Sequence, residues 1–268
     1  MALTPAVMGV VNVTPDSFYP ASRTAAVEEA IERGRAHLAH GADLLDVGGE
    51  SSRPGAEPVA EAEEARRVLP VIERLAEQAT VSVDTTKVRV ARDALAAGAR
   101  IVNDVSGTLY GVAGERGAGY VAMHRRGDAR TMQLDPRYDD VVTEVLAHLE
   151  DLAERARAAG VGELWLDPGI GFGKTTAHNL ALLAHVEDFV ALAERFGAGV
   201  LIGTSRKRFL GDLSPAPLEV DERLEGSIAT EAWSLVHGAA VIRVHDVAAA
   251  VMVRELLARP LEAVAGCR

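Results

Sequence analysis

Arg243 and His245 stand two residues apart at the end of an apolar run, AVIRVHDV. In an extended strand, residues i and i+2 project to one side, so both can face the same point. With Lys207, in TSRKRF, they make a cluster of cations able to grip a diphosphate or a carboxylate. The competing reading is an ion pair between these side chains and nearby Asp or Glu. Two carboxylates close other apolar runs: Asp84 in VSVDTT and Asp167 in LWLDPG. A carboxylate among apolar neighbours is costly unless a donor meets it, and the N–H groups of a ligand would be such donors. Asp is also a favoured helix N-cap, which competes as an explanation for Asp84 and Asp167 and weighs equally for Asp104 in NDVSG. The stretch LDPGIGFGKT resembles a phosphate-binding loop at its second half only. The first glycine of G-x-x-x-x-G-K-[ST] would fall at Pro168, which has no backbone N–H to offer a phosphate.

These residues need elements to position them. Short apolar, β-branched runs recur eight times: AVMGVVNV, LLDVGG, VSVDTT, RIVNDVSG, YVAMH, LWLDPG, GVLIGTS and AVIRVHDV. Between them lie stretches such as AAVEEAIERGRAHLAHG, YDDVVTEVLAHLEDLAERARAAG and NLALLAHVEDFVALAERFG, with apolar residues three or four apart and glycine at several ends. Strict alternation of strand and helix calls for parallel strands. Eight repeats fit a closed (β/α)8 barrel in one domain over residues 1–268. After the fourth strand, TLYGVAGERGAG is short and glycine-rich, so its helix is expected to be stunted.

Active sites in such barrels form at the C-terminal strand ends. Here Asn12 ends the first strand, Glu50 follows the second, Asp84 ends the third, and Asn103 and Asp104 end the fourth. His124 follows the fifth, Asp167 ends the sixth, Ser205, Arg206 and Lys207 follow the seventh, and Arg243 and His245 close the eighth. Polar groups at all eight ends point to a site rather than to eight unrelated caps. The remaining six histidines, at 37, 40, 148, 178, 185 and 237, lie in helical patterns without ligand spacing, which predicts no zinc site.

The formal net charge of -11 argues against a nucleic-acid or membrane-surface binder. A single cysteine, Cys267, leaves no disulfide framework and favours a reducing, cytoplasmic setting. The start, MALTPAVMGVVNV, carries no early Lys or Arg and predicts neither a signal peptide nor a membrane span.

Taken in order, MGVVNVTPDSF, DVGGESSRPGA, SVDTTK, NDVSG, MHRRGDARTMQ, LDPGIGFGKTTAHN, IGTSRKRFLG and RVHDV resemble the dihydropteroate synthase family from end to end. The resemblance implies a (β/α)8 fold. It further implies a Mg2+-assisted transfer joining 6-hydroxymethyl-7,8-dihydropterin diphosphate to p-aminobenzoate, giving 7,8-dihydropteroate and pyrophosphate, in a cytoplasmic homodimer that sulfonamides would target. By the same resemblance Asp167, Asn103 and Lys207 surround the pterin, with Asp84 close by and Met123 in the binding set. Asn12 is implied at the metal, and Arg243 with His245 at the diphosphate. Phe18, Arg53, Pro54, Phe172 and Lys207 would shape the p-aminobenzoate pocket. One departure is plain: Phe18 is followed by Tyr19, Pro20, Ala21 and Ser22, where the family usually has a serine, an aspartate and two glycines. A pterin-binding relative impaired in catalysis is the alternative. A pterin-dependent methyltransferase fits less well, because it has no diphosphate for SRK and RVHDV to hold.

Overall fold

The computed structural model describes residues 5–13, 20–51, 57–128 and 130–258. The chain begins with β1 (Ala6–Asn12), α1 (Pro20–Ala39), β2 (Leu44–Gly48), α2 (Glu61–Ala76) and β3 (Thr80–Asp84). It continues through α3 (Val88–Ala96), β4 (Ile101–Asp104), α4 (Tyr110–Gly114), β5 (Gly119–Met123) and α5 (Val141–Ala158). Next come β6 (Leu164–Asp167), α6 (Thr176–Ala184), α7 (Val186–Arg195), β7 (Gly199–Ile202) and α8 (Arg208–Gly211). A 3-10 turn at Val220–Arg223 leads into α9 (Leu224–Val236), and β8 (Val241–Val244) and α10 (Val247–Ala258) complete the described chain. The eight strands are all parallel and close into a barrel in chain order, each beside the next and β8 beside β1.

Local chemistry explains the main boundaries. Asp140 caps α5, its carboxylate accepting from Val142 N and Thr143 N at 3.0 Å each. Gly160, at φ 83°, follows the same helix in the left-handed conformation that suits a C-terminal stop. Thr175 and His178 form a reciprocal cap at the start of α6. Pro20 is the first residue of α1, the helical position where a missing N–H costs nothing. The fourth crossover helix is indeed stunted, five residues long. The pattern NLALLAHVEDFVALAERFG, read as one helix, is two: the chain breaks at His185, whose Nδ1 lies 2.7 Å from Asp188 Oδ2 at the start of α7.

The alternation of strand residues sorts the side chains into layers. Outward-facing Val47, Val83, Val102 and Leu166 are fully buried against the surrounding helices. Inside the barrel, Met8, Leu44, Ile101, Val121, Leu201 and Val241 form an apolar plug with Trp165 packed on it. Two residues further along their strands, Asp46, Asn103 and Arg243 replace the apolar side chains, and Ser82, the register partner of Asp46, joins them. The plug is the floor of a cup, and the polar layer lies on top of it. No described helix is long and apolar enough to cross a membrane.

Candidate active site

The polar layer is one hydrogen-bonded network. Arg243 donates from Nε to Asp46 Oδ2 at 2.6 Å and from Nη2 to Asp84 Oδ2 at 2.9 Å. Asn103 Nδ2 donates to the same Asp46 oxygen at 2.9 Å. Asp46 is fully buried, as is Ser82, and neither Asp46 Oδ1 nor Ser82 Oγ has a partner within the protein. Buried polar atoms left without partners are rare, and here both project into the cup. Burial pushes the Asp84 carboxyl up to about 7, against the pull of the Arg243 guanidinium.

On the opposite wall β6 delivers Asp167, which is buried and accepts from Gly169 N at 2.7 Å. Burial raises its pKa, and the nearby Lys207 ammonium opposes the shift. Lys207 itself is pushed down to about 8 by burial, with Asp167 holding it up. Its Nζ donates to Ile170 O and lies 4.6 Å from the centre of the Phe172 ring, a cation–π contact. Met123, at the end of β5, is the register partner of Asp167 and is buried beside it. Three carboxylates, a carboxamide, an ammonium and a guanidinium thus meet above the plug. Such a set can bind a planar, nitrogen-rich ring by its edge and hold an anion next to it.

The sequence-derived candidates divide clearly. Asp84, Asn103, Met123, Asp167, Phe172, Lys207 and Arg243 lie on adjacent strand ends and loops, as expected. Asp84 is no helix cap: α3 begins after Lys87, with no side-chain cap. Asp104 is structural, its carboxylate accepting from Thr108 N and Leu109 N at 2.7 Å and from Tyr120 Oη at 2.9 Å. For Arg243 the competing ion pair is present: the polar layer holds its guanidinium between the carboxylates of Asp46 and Asp84. His245 is on the same rim, its backbone N–H donating to Ser205 Oγ at 3.1 Å. Asn12 ends β1 beside Gly48 of β2. Phe18, Arg53, Pro54 and Tyr19 lie outside the described residues.

Three residues in or beside the site carried no signal that the reading used. Asp46 was absorbed into the apolar run LLDVGG, although an acid in a strand otherwise apolar on both faces is itself a flag. Lys174, set aside with the failed phosphate loop, is buried, and its Nζ lies 2.9 Å from His124 Nδ1, 2.9 Å from Gly169 O and 3.1 Å from Phe172 O. Burial lowers its pKa to about 7 and, with Lys174 adjacent, lowers that of His124 to about 2. Lys87 holds Glu50 and the fully buried Glu64 together, and Glu50 also accepts from Val59 N at 2.9 Å, which joins the two stems of the second loop. Among the described residues no group of three or more His, Cys, Asp or Glu could hold a metal ion.

Residues 8–245 match the family model described as Pterin binding enzyme. Dihydropteroate synthase of Mycobacterium leprae (strain TN) is 44% identical over 265 residues, covering 94% of this chain and 92% of that protein. The structure of Xanthomonas albilineans dihydropteroate synthase with 4-aminobenzoic acid superposes with a TM-score of 0.86 at 43% identity, covering 100% of this chain and 95% of the other. A second structure of that enzyme, in complex with 7,8-dihydropteroate, superposes with a TM-score of 0.83 at 39% identity, covering 100% of this chain and 96% of the other.

Proposed function

The chain belongs to the pterin binding enzyme family, and we propose that it works there as a dihydropteroate synthase, a transferase that condenses 6-hydroxymethyl-7,8-dihydropterin diphosphate with p-aminobenzoate. The observation that carries this reading is the single network above the apolar plug, in which Asn103, Asp46, Arg243 and Asp84 are linked and Asp167 and Lys207 face them. The products are 7,8-dihydropteroate and pyrophosphate. A C–N bond forms at the pterin methylene as its C–O bond to the diphosphate breaks, and the arylamine proton leaves to solvent.

Each residue has a role that its surroundings prepare. Asp167, oriented by Gly169 N, accepts from the N–C–N edge of the pterin. Asn103 is turned by its bond to Asp46, which commits its NH2 and presents its carbonyl oxygen to a ring N–H. Lys207 donates to the ring on one side and packs on Phe172 on the other, where p-aminobenzoate would lie. Positive charge grows on the methylene as the diphosphate departs, and the buried carboxylates of Asp84 and Asp167 stabilise it. A guanidinium has five N–H donors, more than the two acids use, so Arg243 can still meet the departing anion with His245 beside it. Phe18, Arg53 and Pro54 are assigned to the p-aminobenzoate pocket, and Met123 to the wall beside Asp167.

Mg2+ suits this donor set. It is a hard ion that takes oxygen ligands and usually relies on substrate phosphates and water more than on a protein cage. The carboxamide oxygen of Asn12, at the end of β1, would be its protein ligand. The bound ion would neutralise diphosphate charge. Chelation is expected to abolish turnover, with Mg2+ restoring it. A homodimer is proposed through α9, where Trp233 and Val236 are exposed. Light scattering on Trp233→Glu would then report a monomer where the parent is a dimer.

The direct test is turnover of Asp167→Asn and Lys207→Ala. Each should fall by about tenfold or more, a barrier rise of about 1.4 kcal/mol or more, while the circular dichroism spectrum is unchanged. Parent-like turnover in either would remove the site assignment.

A further inference from the structure

Arg206 is the only non-glycine among the described residues with positive φ, at 57°, a conformation that L side chains rarely adopt. Its polar groups are engaged from several sides. The backbone N–H donates to the buried Ser227 Oγ at 2.8 Å, and the carbonyl accepts from Arg223 Nη1 at 3.2 Å. The guanidinium donates from Nε and Nη2 to the two oxygens of Asp246, each at 2.7 Å, and from Nη1 to Asp221 Oδ1 at 2.7 Å. A two-pronged pair of this kind fixes angle as well as distance.

The next residue is Lys207. Directly after this left-handed residue, the Lys207 side chain reaches Ile170 O and the Phe172 ring. Asp246 follows His245 directly, and His245 N is itself bonded to Ser205 Oγ. Two successive residues after β7 are therefore fastened to two successive residues after β8.

We propose that Arg206 is a positioning residue: its fork on Asp246 holds the strained turn that aims Lys207 at the pterin and fixes the spacing between Lys207 and His245. Arg206 acts through Lys207 and touches neither substrate. The inference rests on the condensation proposed above, and its test separates the two.

The variants are Arg206→Ala, Arg206→Lys and Arg206→Gly, the last chosen because glycine takes φ near 57° without strain. Two readouts are needed: steady-state formation of dihydropteroate, and the pH at which Lys207 is half-modified by an amine-selective reagent, read by peptide mass spectrometry. The second does not require turnover. In the parent, Lys207 sits among Asp167, Asp84 and Arg243 and should be half-modified near pH 8. Arg206→Ala should lower kcat by about tenfold with a smaller change in KM, and move the Lys207 midpoint up toward that of an ordinary lysine. Arg206→Lys, lacking the fork, should follow Ala. Arg206→Gly should recover part of the rate and keep the midpoint near the parent's. Parent-like values in Arg206→Ala overturn the proposal, as does a fall in melting temperature with neither readout changed. Absence of recovery in Arg206→Gly overturns it too, by placing the effect in the lost charge rather than the turn. If the parent itself makes no dihydropteroate while the midpoint shifts as described, the condensation reading falls and the positioning role stands.

Discussion

In the proposed role Lys207 donates to a ligand from a position where burial disfavours its charge, and those two demands set its pH behaviour. Burial lowers its pKa to about 8, so the donating ammonium is present below that pH and lost above it. The sign of the prediction follows: kcat/KM should fall as pH rises through about 8, and in Lys207→Arg any residual activity should lack that limb, because a guanidinium keeps its proton. A pH–rate profile of both proteins checks this. Asp46 has a different weight. It orients Asn103 and shares Arg243 with Asp84 from a fully buried position, so Asp46→Ala leaves the half-buried Arg243 guanidinium with one acid fewer and the buried Asn103 carboxamide short of an acceptor. A loss of about 1–3 kcal/mol in denaturant unfolding is expected, beyond any effect on turnover. Asp167, Asp84 and Arg243 were legible in the sequence because each closes an apolar run. Asp46 was not, because it sits inside one, and its partner Arg243 is 197 residues away along the chain.

The loop after β6 works as a unit, and its glycines and Lys174 are why. At Gly169, with φ 68°, an added Cβ would stand 1.9 Å from His124 O, so the sixth loop lies directly on the fifth. Gly169→Ala should cost roughly 1–3 kcal/mol from backbone conformation alone, with the clash adding to it, and should displace Asp167. Lys174→Met keeps the apolar stem but leaves the carbonyls of Gly169 and Phe172 without their donor, a loss of about 1–3 kcal/mol. Because the folded-state pKa of Lys174, about 7, lies below the ordinary lysine value, the folded state binds fewer protons there than the unfolded chain. Stability of the parent relative to Lys174→Met should therefore rise between pH 7 and pH 9, measurable by urea titration at the two pH values. Strand and helix existence was readable from periodicity, and so was the stunted α4 from its glycines. The break at His185 was not, because apolar spacing continues across it and only the local His185–Asp188 contact marks the new start.

At the scale of the molecule, eight parallel strands closing in chain order turn eight separate strand ends into one ring of side chains. The ring brings Lys207 and Arg243 to one end of a chain whose formal net charge is -11, and in the proposed function they are the local cations that an anionic substrate would meet despite the overall sign. Alternation, repeated eight times, was enough to read the barrel from the sequence. The interior polar layer depends on register between strands, which the one-dimensional pattern does not encode. The central claim is that this ring condenses a pterin diphosphate with an arylamine. The most direct measurement follows 7,8-dihydropteroate and pyrophosphate together, with purified protein, the pterin diphosphate and Mg2+, in the presence and absence of p-aminobenzoate. The account predicts equimolar product and pyrophosphate that depend on p-aminobenzoate. Binding of the pterin diphosphate with no dihydropteroate formed would contradict it.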